Sequence, residues 1–258
     1  MTWTIRPRSK IGNLAAITAG EGPNVLFIHG VGLRAEAWSA QIDALAPTCR
    51  VVAADMPGHG NSMSLNAGAV LTDFTDALAS TLDGPTIVIG HSFGAMIALD
   101  MATNYPNKVS GVVAMNAIFK REPSAKSAVI DRAESLDGLT MADPTKTLER
   151  WFGNSTSSQR TACGEWLTSV DPAGYRSAYR VFANEDGPSE TGLQNMKCPL
   201  LFVTGDQEPN STPDMSQNMA KIAGGRAEII TNAAHMLPMT HADQVNLILT
   251  DFIREVSD

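Results

Sequence analysis

The residues best suited to chemistry in this chain are Gly90-His91-Ser92-Phe93-Gly94, which place a serine between two glycines at the spacing G-x-S-x-G. That pattern carries weight only where a buried strand runs into a helix. Here it follows the apolar run Thr86-Ile87-Val88-Ile89 and precedes helical spacing towards Tyr105. A sharp reversal from strand to helix strains the backbone at the serine, and glycines on both flanks let neighbouring elements approach closely. The turn lifts the hydroxyl above the sheet, with the free N–H groups of a helix N-terminus beneath it to favour developing negative charge. Ser92 is the expected nucleophile.

A serine hydroxyl attacks poorly until a base takes its proton. His235 is the expected base, because its loop directly follows the last strand-like run and falls at the same sheet edge as Ser92. The other histidines fit less well. His91 is inside the turn itself, His29 and His59 lie in glycine-rich turns suited to structural hydrogen bonds, and His241 falls in the final helical region. The base needs a carboxylate to hold its tautomer and stabilise the imidazolium that forms. Asp206 and Glu208 both follow the run 199–204, and periodicity leaves the choice between them open. The chain order serine, acid, histidine suits either one. His29-Gly30-Val31-Gly32 follows the first clear buried run. The N–H of Val31, with that of Phe93, would there complete an oxyanion hole, in which losing one donor costs roughly 2.7–4 kcal/mol of transition-state stabilisation.

These residues need a scaffold that brings distant loops to one edge. Short apolar runs at 25–28, 51–54, 86–89, 109–115, 199–204 and 226–231 alternate with helical spacing at 35–45, 70–82, 93–105 and 242–256. That alternation reads as an α/β fold, a mostly parallel central sheet flanked by helices. The stretch 117–190 breaks the rhythm, lacking clear buried strands and carrying Trp151, Phe152, Trp166, Tyr175, Tyr179 and Phe182 among polar residues. We expect a helical cap of 117–190 inserted over the C-terminal edge of the sheet, with a core of 1–116 and 191–258. Trp151, Phe152 and Trp166, together with Trp38, are expected to wall an apolar substrate pocket.

Composition narrows the function classes. An apolar fraction of 43% and a charged fraction of 18% exclude a disordered chain, and 258 residues suit one hydrophobic core. The net charge of −8 argues against nucleic acid or an anionic membrane as partner, leaving a small-molecule substrate. Cys49, Cys163 and Cys198 stand too far apart to read as a disulfide framework or a metal-ligand cluster. The N-terminal residues hold no signal-peptide core, and no apolar run is long enough to span a bilayer. The expectation is a cytoplasmic protein that uses no metal and no organic cofactor; oligomeric state is not legible.

Together, His29-Gly30-Val31-Gly32, Asp55-Met56-Pro57-Gly58-His59-Gly60-Asn61-Ser62, Gly90 to Gly94, Gly205 to Pro213 and His235-Met236-Leu237-Pro238 resemble the α/β-hydrolase superfamily over nearly the whole chain. Within it they are similar to the small capped bacterial carboxylesterases and enol-lactone hydrolases. The resemblance implies the α/β-hydrolase fold, a Ser-His-acid triad and an acyl-enzyme intermediate. Members carry G-x-x-D before a short loop and a proline. Gly205 matches that glycine and Glu208 stands where the aspartate would, one methylene longer, so the resemblance favours Glu208 with Asp206 as the alternative. Haloalkane dehalogenases and epoxide hydrolases of this fold carry an aspartate where Ser92 stands, which excludes both activities. Hydrolysis of a small carboxylic ester or lactone is the expected reaction. Carbon–carbon, amide or thioester hydrolysis by the same triad is the alternative, and a ligand receptor on this fold is a third reading.

Overall fold

Aliphatic and β-branched runs that would expose too much apolar surface alone are stacked here into one sheet, covered by helices on both faces. The computed structural model describes Trp3, residues 5–141 and residues 143–257. Its strands are β1 Ser9–Ile11, β2 Leu14–Ala19, β3 Asn24–Ile28, β4 Arg50–Ala54, β5 Thr86–His91, β6 Val109–Met115, β7 Leu200–Gly205 and β8 Arg226–Ile230. They lie in the order β1-β2-β4-β3-β5-β6-β7-β8. From β4 to β8 every pairing is parallel, whereas β1 with β2 and β2 with β4 are antiparallel. The helices are α1 Ser39–Leu45 (entered through a 3-10 turn at Ala35–Trp38), α2 Leu71–Ala79, α3 Phe93–Asn104, α4 Pro123–Ser135, α5 Thr145–Phe152, α6 Ser158–Ser169, α7 Pro172–Asn184, α8 Glu190–Asn195, α9 Pro213–Ala223, α10 Leu237–Thr240 and α11 Ala242–Ser257.

Alternation along the strands divides the core. Leu26 and Ile28 point to one face with Val52, Val88 and Phe202, beneath α2, α3 and α9. Val25 and Phe27 point to the other with Val51, Ile89 and Val203, beneath α1 and α11. Both faces of the central strands are thus apolar, which is why these runs read as unbroken rather than alternating.

The six strand-like runs of the sequence are all strands, and the four helical stretches are helices. Strands β1 and β2 and helices α8, α9 and α10 match none of the runs read from the sequence. The hairpin of β1 and β2 is short and rich in alanine, with exposed residues in β1, and its pairing with β4 is a long-range contact that local pattern does not carry. Helix α9 did leave local signals, Pro213 in its first turn and Thr212 Oγ1 accepting from the N–H of Met215.

Between β6 and β7 the described residues form helices only. Helices α5 to α7 share a third apolar cluster with Leu33, Ala37, Met236 and Met239, side chains from the segments that follow the C-terminal ends of β3 and β8. The helical layer therefore sits over that edge. Helix α8, by contrast, packs against α9.

Beside β3 a buried charged network braces the first glycine-rich turn. Arg8 bridges Glu36 at 2.6 Å and Asp55 at 2.8 Å, and Asp55 also accepts from the N–H of Ala35 and Asn61. His29 Nε2 accepts from the N–H of Met56 at 3.0 Å, and His59 Nε2 accepts from the N–H of Gly32 at 2.9 Å. Both rings must be neutral to accept, and burial pushes His29 down to about 4 and His59 to about 3 from an ordinary 6.5. Between those values and 6.5 the unfolded chain binds the proton and the folded chain does not. Stability is therefore complete above 6.5 and falls as the pH drops towards 4. We expect the urea midpoint to fall steadily from about pH 7 to about pH 5, with each histidine contributing up to about 1 kcal/mol per pH unit. A midpoint that stays flat over that window would contradict neutral burial of these rings.

Candidate active site

Strand β5 ends at His91 and α3 begins at Phe93, leaving Ser92 alone to make the reversal. Its φ of 57° and ψ of −118° lie where a residue with a side chain is strained, at a cost of order 1–3 kcal/mol. Close packing holds it there. A Cβ on Gly90 would come within 2.1 Å of the carbonyl oxygen of Gly94, and one on Gly94 within 2.2 Å of that of Ile28. The N–H of Ser92 donates to the carbonyl of Met115 at 2.8 Å, tying the turn to β6. Among the described residues the N–H groups of Val31 and Phe93 have no acceptor. The Phe93 side chain is buried against Phe74 and Phe182, and Val31 lines the cavity above Ser92.

Strands β7 and β8 are neighbours in the sheet, so the loops after them lie side by side. His235 Nδ1 meets Glu208 Oε2 at 2.7 Å. The other carboxylate oxygen accepts from the N–H of Asn210 at 2.8 Å and of Ser211 at 3.3 Å. Burial works to raise this carboxyl, but the His235 ring and the two N–H groups outweigh it and hold Glu208 at about 2. Asp206 is exposed and makes no hydrogen bond with His235, so of the two acids it is Glu208 that meets the histidine. The Nδ1–H bond to a carboxylate leaves Nε2 of the neutral ring free to accept a proton. Trp151 of α5 stacks on the His235 ring at 5.4 Å between centroids and 18° between planes. Ser92 and His235 face the same cavity without a direct hydrogen bond, a contact that in such sites often tightens only with substrate.

The cavity holds about 190 Å³ between the sheet edge and the helical layer. Of the four aromatic residues expected to wall it, Trp151 does so and Trp38, Phe152 and Trp166 do not. Trp38 is buried on the far face of the sheet, 4.7 Å from Phe27. Trp166 sits edge-on to Trp3 inside the helical layer, and half-buried Phe152 packs on that same cluster. Aromatic content alone does not say which side of a helix meets the cavity.

Polar residues the sequence reading did not single out replace them. Arg121, Arg132 and Arg150 all line the cavity, as do Asn116 and Ser211. Arg121 is matched, by Asp186 at 3.0 Å and by the carbonyls of Phe182 and Glu185. Arg132 is not. Its Nη2 donates to Thr147 Oγ1 at 3.1 Å and Tyr175 Oη at 3.3 Å, its Nε is buried without a partner, and it makes no ion pair among the described residues. Asn116 Oδ1 and Ser211 Oγ are likewise buried without partners among the described residues. Among the described residues no group of three metal-ligating side chains comes together, and no helix is long and apolar enough to cross a membrane.

Comparison with known proteins agrees with this architecture. Residues 25–246 match the Alpha/beta hydrolase family. A similar protein is the (E)-2-((N-methylformamido)methylene)succinate hydrolase of Acinetobacter baylyi, 40% identical over 88% of this chain and 89% of that one. The pimeloyl-[acyl-carrier protein] methyl ester esterase of Chromobacterium violaceum is 29% identical over 76% of this chain and 80% of its own. Among solved structures, a thermophilic esterase from Thermogutta terrifontis with malate bound superposes at a TM-score of 0.86 with 25% identity, over 97% of this chain and 99% of that one. The enol-lactonase of Burkholderia xenovorans shares the fold at 0.82, with 20% identity over 96% and 100%. Sheet order, strand-turn-helix at Ser92 and these matches lead to one conclusion: the chain belongs to the α/β-hydrolase family and is a hydrolase.

Proposed function

We propose that this hydrolase cleaves the acyl bond of a small carboxylate-bearing substrate by a serine mechanism, with an N-acyl enamine dicarboxylate as the leading candidate. The observation that carries the reading is the company Arg132 keeps. An arginine without a carboxylate partner lines the cavity that Ser92 and His235 share, and Arg150 lines it too. A guanidinium that is half-buried and unpaired is unfavourable until an anion meets it, and its planar fork suits a carboxylate. The Acinetobacter relative acts, by its name, on a succinate carrying an N-methylformamido-methylene group, which combines two carboxylates with an amide. The cavity of about 190 Å³ suits a substrate of that size better than a long carrier arm.

In this mechanism Ser92 Oγ attacks the acyl carbon while His235 Nε2 takes its proton. The oxyanion rests on the N–H groups of Val31 and Phe93, and Glu208 holds the imidazolium. His235 then protonates the leaving nitrogen, the C–N bond breaks, and Ser92 is left acylated. Water, deprotonated by His235, attacks the acyl-enzyme and frees the serine. Helices α4 to α7 act as a cap that closes the cavity. An ester or lactone of a similar acid is the second reading, favoured by the likeness to the malate-bound esterase; only the leaving atom differs.

Turnover should be measured on N-formyl and N-acetyl aminomethylene succinates and on nitrophenyl esters. Ser92→Ala is expected to lose activity to background, and Glu208→Gln to lose roughly 10³–10⁴-fold in kcat, while Asp206→Asn stays within about twofold. Equal losses at Asp206 and Glu208 would overturn the assignment of the acid. Arg132→Gln is expected to raise KM roughly ten- to hundredfold for the dicarboxylate and leave neutral nitrophenyl acetate unchanged. If both substrates respond alike, the anion reading fails. If only neutral esters turn over, the second reading takes its place.

A further inference from the structure

His235 has the longest reach of any group in the site. It leaves the edge strand β8 and must come to Ser92 at the end of β5, crossing the ends of β7 and β6. Strands lie about 4.8 Å apart, so the loop spans roughly 14 Å of sheet edge. Glu208 holds only the far corner of the imidazole, and a side-chain bond at Nδ1 leaves the ring free to swing with its own backbone. Something must hold that backbone.

The main-chain carbonyl of His235 accepts two hydrogen bonds, each of 2.7 Å, from His91 Nε2 and from Asn116 Nδ2. The donors come from the two strands that the loop has to reach. His91 is the last residue of β5, immediately before Ser92, and Asn116 follows β6. Asn116 sits at φ 51°, in the left-handed region that asparagine tolerates better than most residues. Its own N–H donates to the carbonyl of Val203 in β7. The strained conformation thus aims a side-chain amide at the base loop from a backbone fixed on both sides. We propose that His91 and Asn116 are positioning residues that clamp the main-chain carbonyl of His235 and so place its ring over Ser92. His91 is fully buried and burial keeps it neutral down to about 3, so its Nε2–H remains a single donor across the working range. The clamp joins the Ser92 turn, the segment after β6 and the loop of His235, because the N–H of Ser92 is bonded to Met115, the residue before Asn116.

The proposal rests on the serine mechanism, and its test separates the two. Asn116→Asp keeps shape and φ but replaces the donor with an acceptor facing a carbonyl. A negative charge there would by itself favour the imidazolium, so a loss of rate reports the lost donor. The rate at which an alkyl fluorophosphonate labels Ser92 is expected to fall at least tenfold in Asn116→Asp, because a displacement near 1 Å costs on the order of a hundredfold. For nitrophenyl acetate the loss should lie in kcat, with KM within about threefold. His91→Leu should lose a similar factor, and His91→Gln, which restores an N–H donor, should recover most of it. The low-field proton of the His235–Glu208 hydrogen bond, seen by NMR without turnover, should broaden in Asn116→Asp and His91→Leu and stay sharp in His91→Gln. Labelling within twofold of wild type in a folded Asn116→Asp would overturn the clamp, as would equal rates in His91→Leu and His91→Gln. A wild type that does not label at all would refute the serine mechanism, and the NMR signal would still decide the clamp.

Discussion

The hydrogen bond between His235 Nδ1 and Glu208 Oε2 joins the loops after two neighbouring strands, and much of the sheet's C-terminal edge is arranged so that it can exist. A carboxylate as buried as Glu208 would be unstable without partners, since leaving one charge of such a pair uncompensated is strongly unfavourable. The loop after β7 answers this by turning the N–H groups of Asn210 and Ser211 onto one oxygen while the imidazole meets the other. The order of strands then matters more than their sequence. Only with β7 beside β8, and β5 two places away, do these loops converge on Ser92.

Charge is handled in two opposite ways around this pair. Behind the site, His29, His59 and His91 are fully buried and neutral, and the first two serve as acceptors for backbone N–H groups that shape the turns. Arg8 there is matched by Glu36 and Asp55. Above the site, Arg132 is left with unfilled donors against the face of Tyr179, 5.3 Å from its ring. Buried charge is thus paired on one side of the site and left open on the other. That contrast, more than the catalytic geometry common to serine hydrolases, underlies the proposed substrate class.

The fold and the strand-to-helix turn at Ser92 were legible because their determinants are local. An apolar run followed by Gly90-His91-Ser92-Phe93-Gly94 and a helical stretch can scarcely do anything but reverse at the serine, since the glycines mark where backbones touch. The parallel sheet was legible for a similar reason, as strands buried on both faces must be apolar throughout. The β1–β2 hairpin was not, because β1 is short and exposed, β2 is rich in alanine, and β2 is held by pairing with β4 rather than by its own pattern.

Sequence alone therefore determined that a serine would stand at a strand-to-helix turn, that an acid and a histidine would follow later strands, and that a helical stretch would interrupt the alternation. It did not determine which side chains face one another. Asp206 and Glu208 are two residues apart in one turn, and only the path of that turn exposes the first and buries the second against His235. Trp38, Trp151 and Trp166 are the same residue type, yet Trp38 packs beneath the sheet, Trp166 packs within the helices and Trp151 stacks on the His235 ring. Asn116 and Arg132 looked like ordinary polar residues until folding set them against a carbonyl and a cavity. Local backbone conformation follows from near neighbours in the chain, whereas the direction and surroundings of a side chain depend on elements far away in sequence, which only the packed tertiary structure brings together.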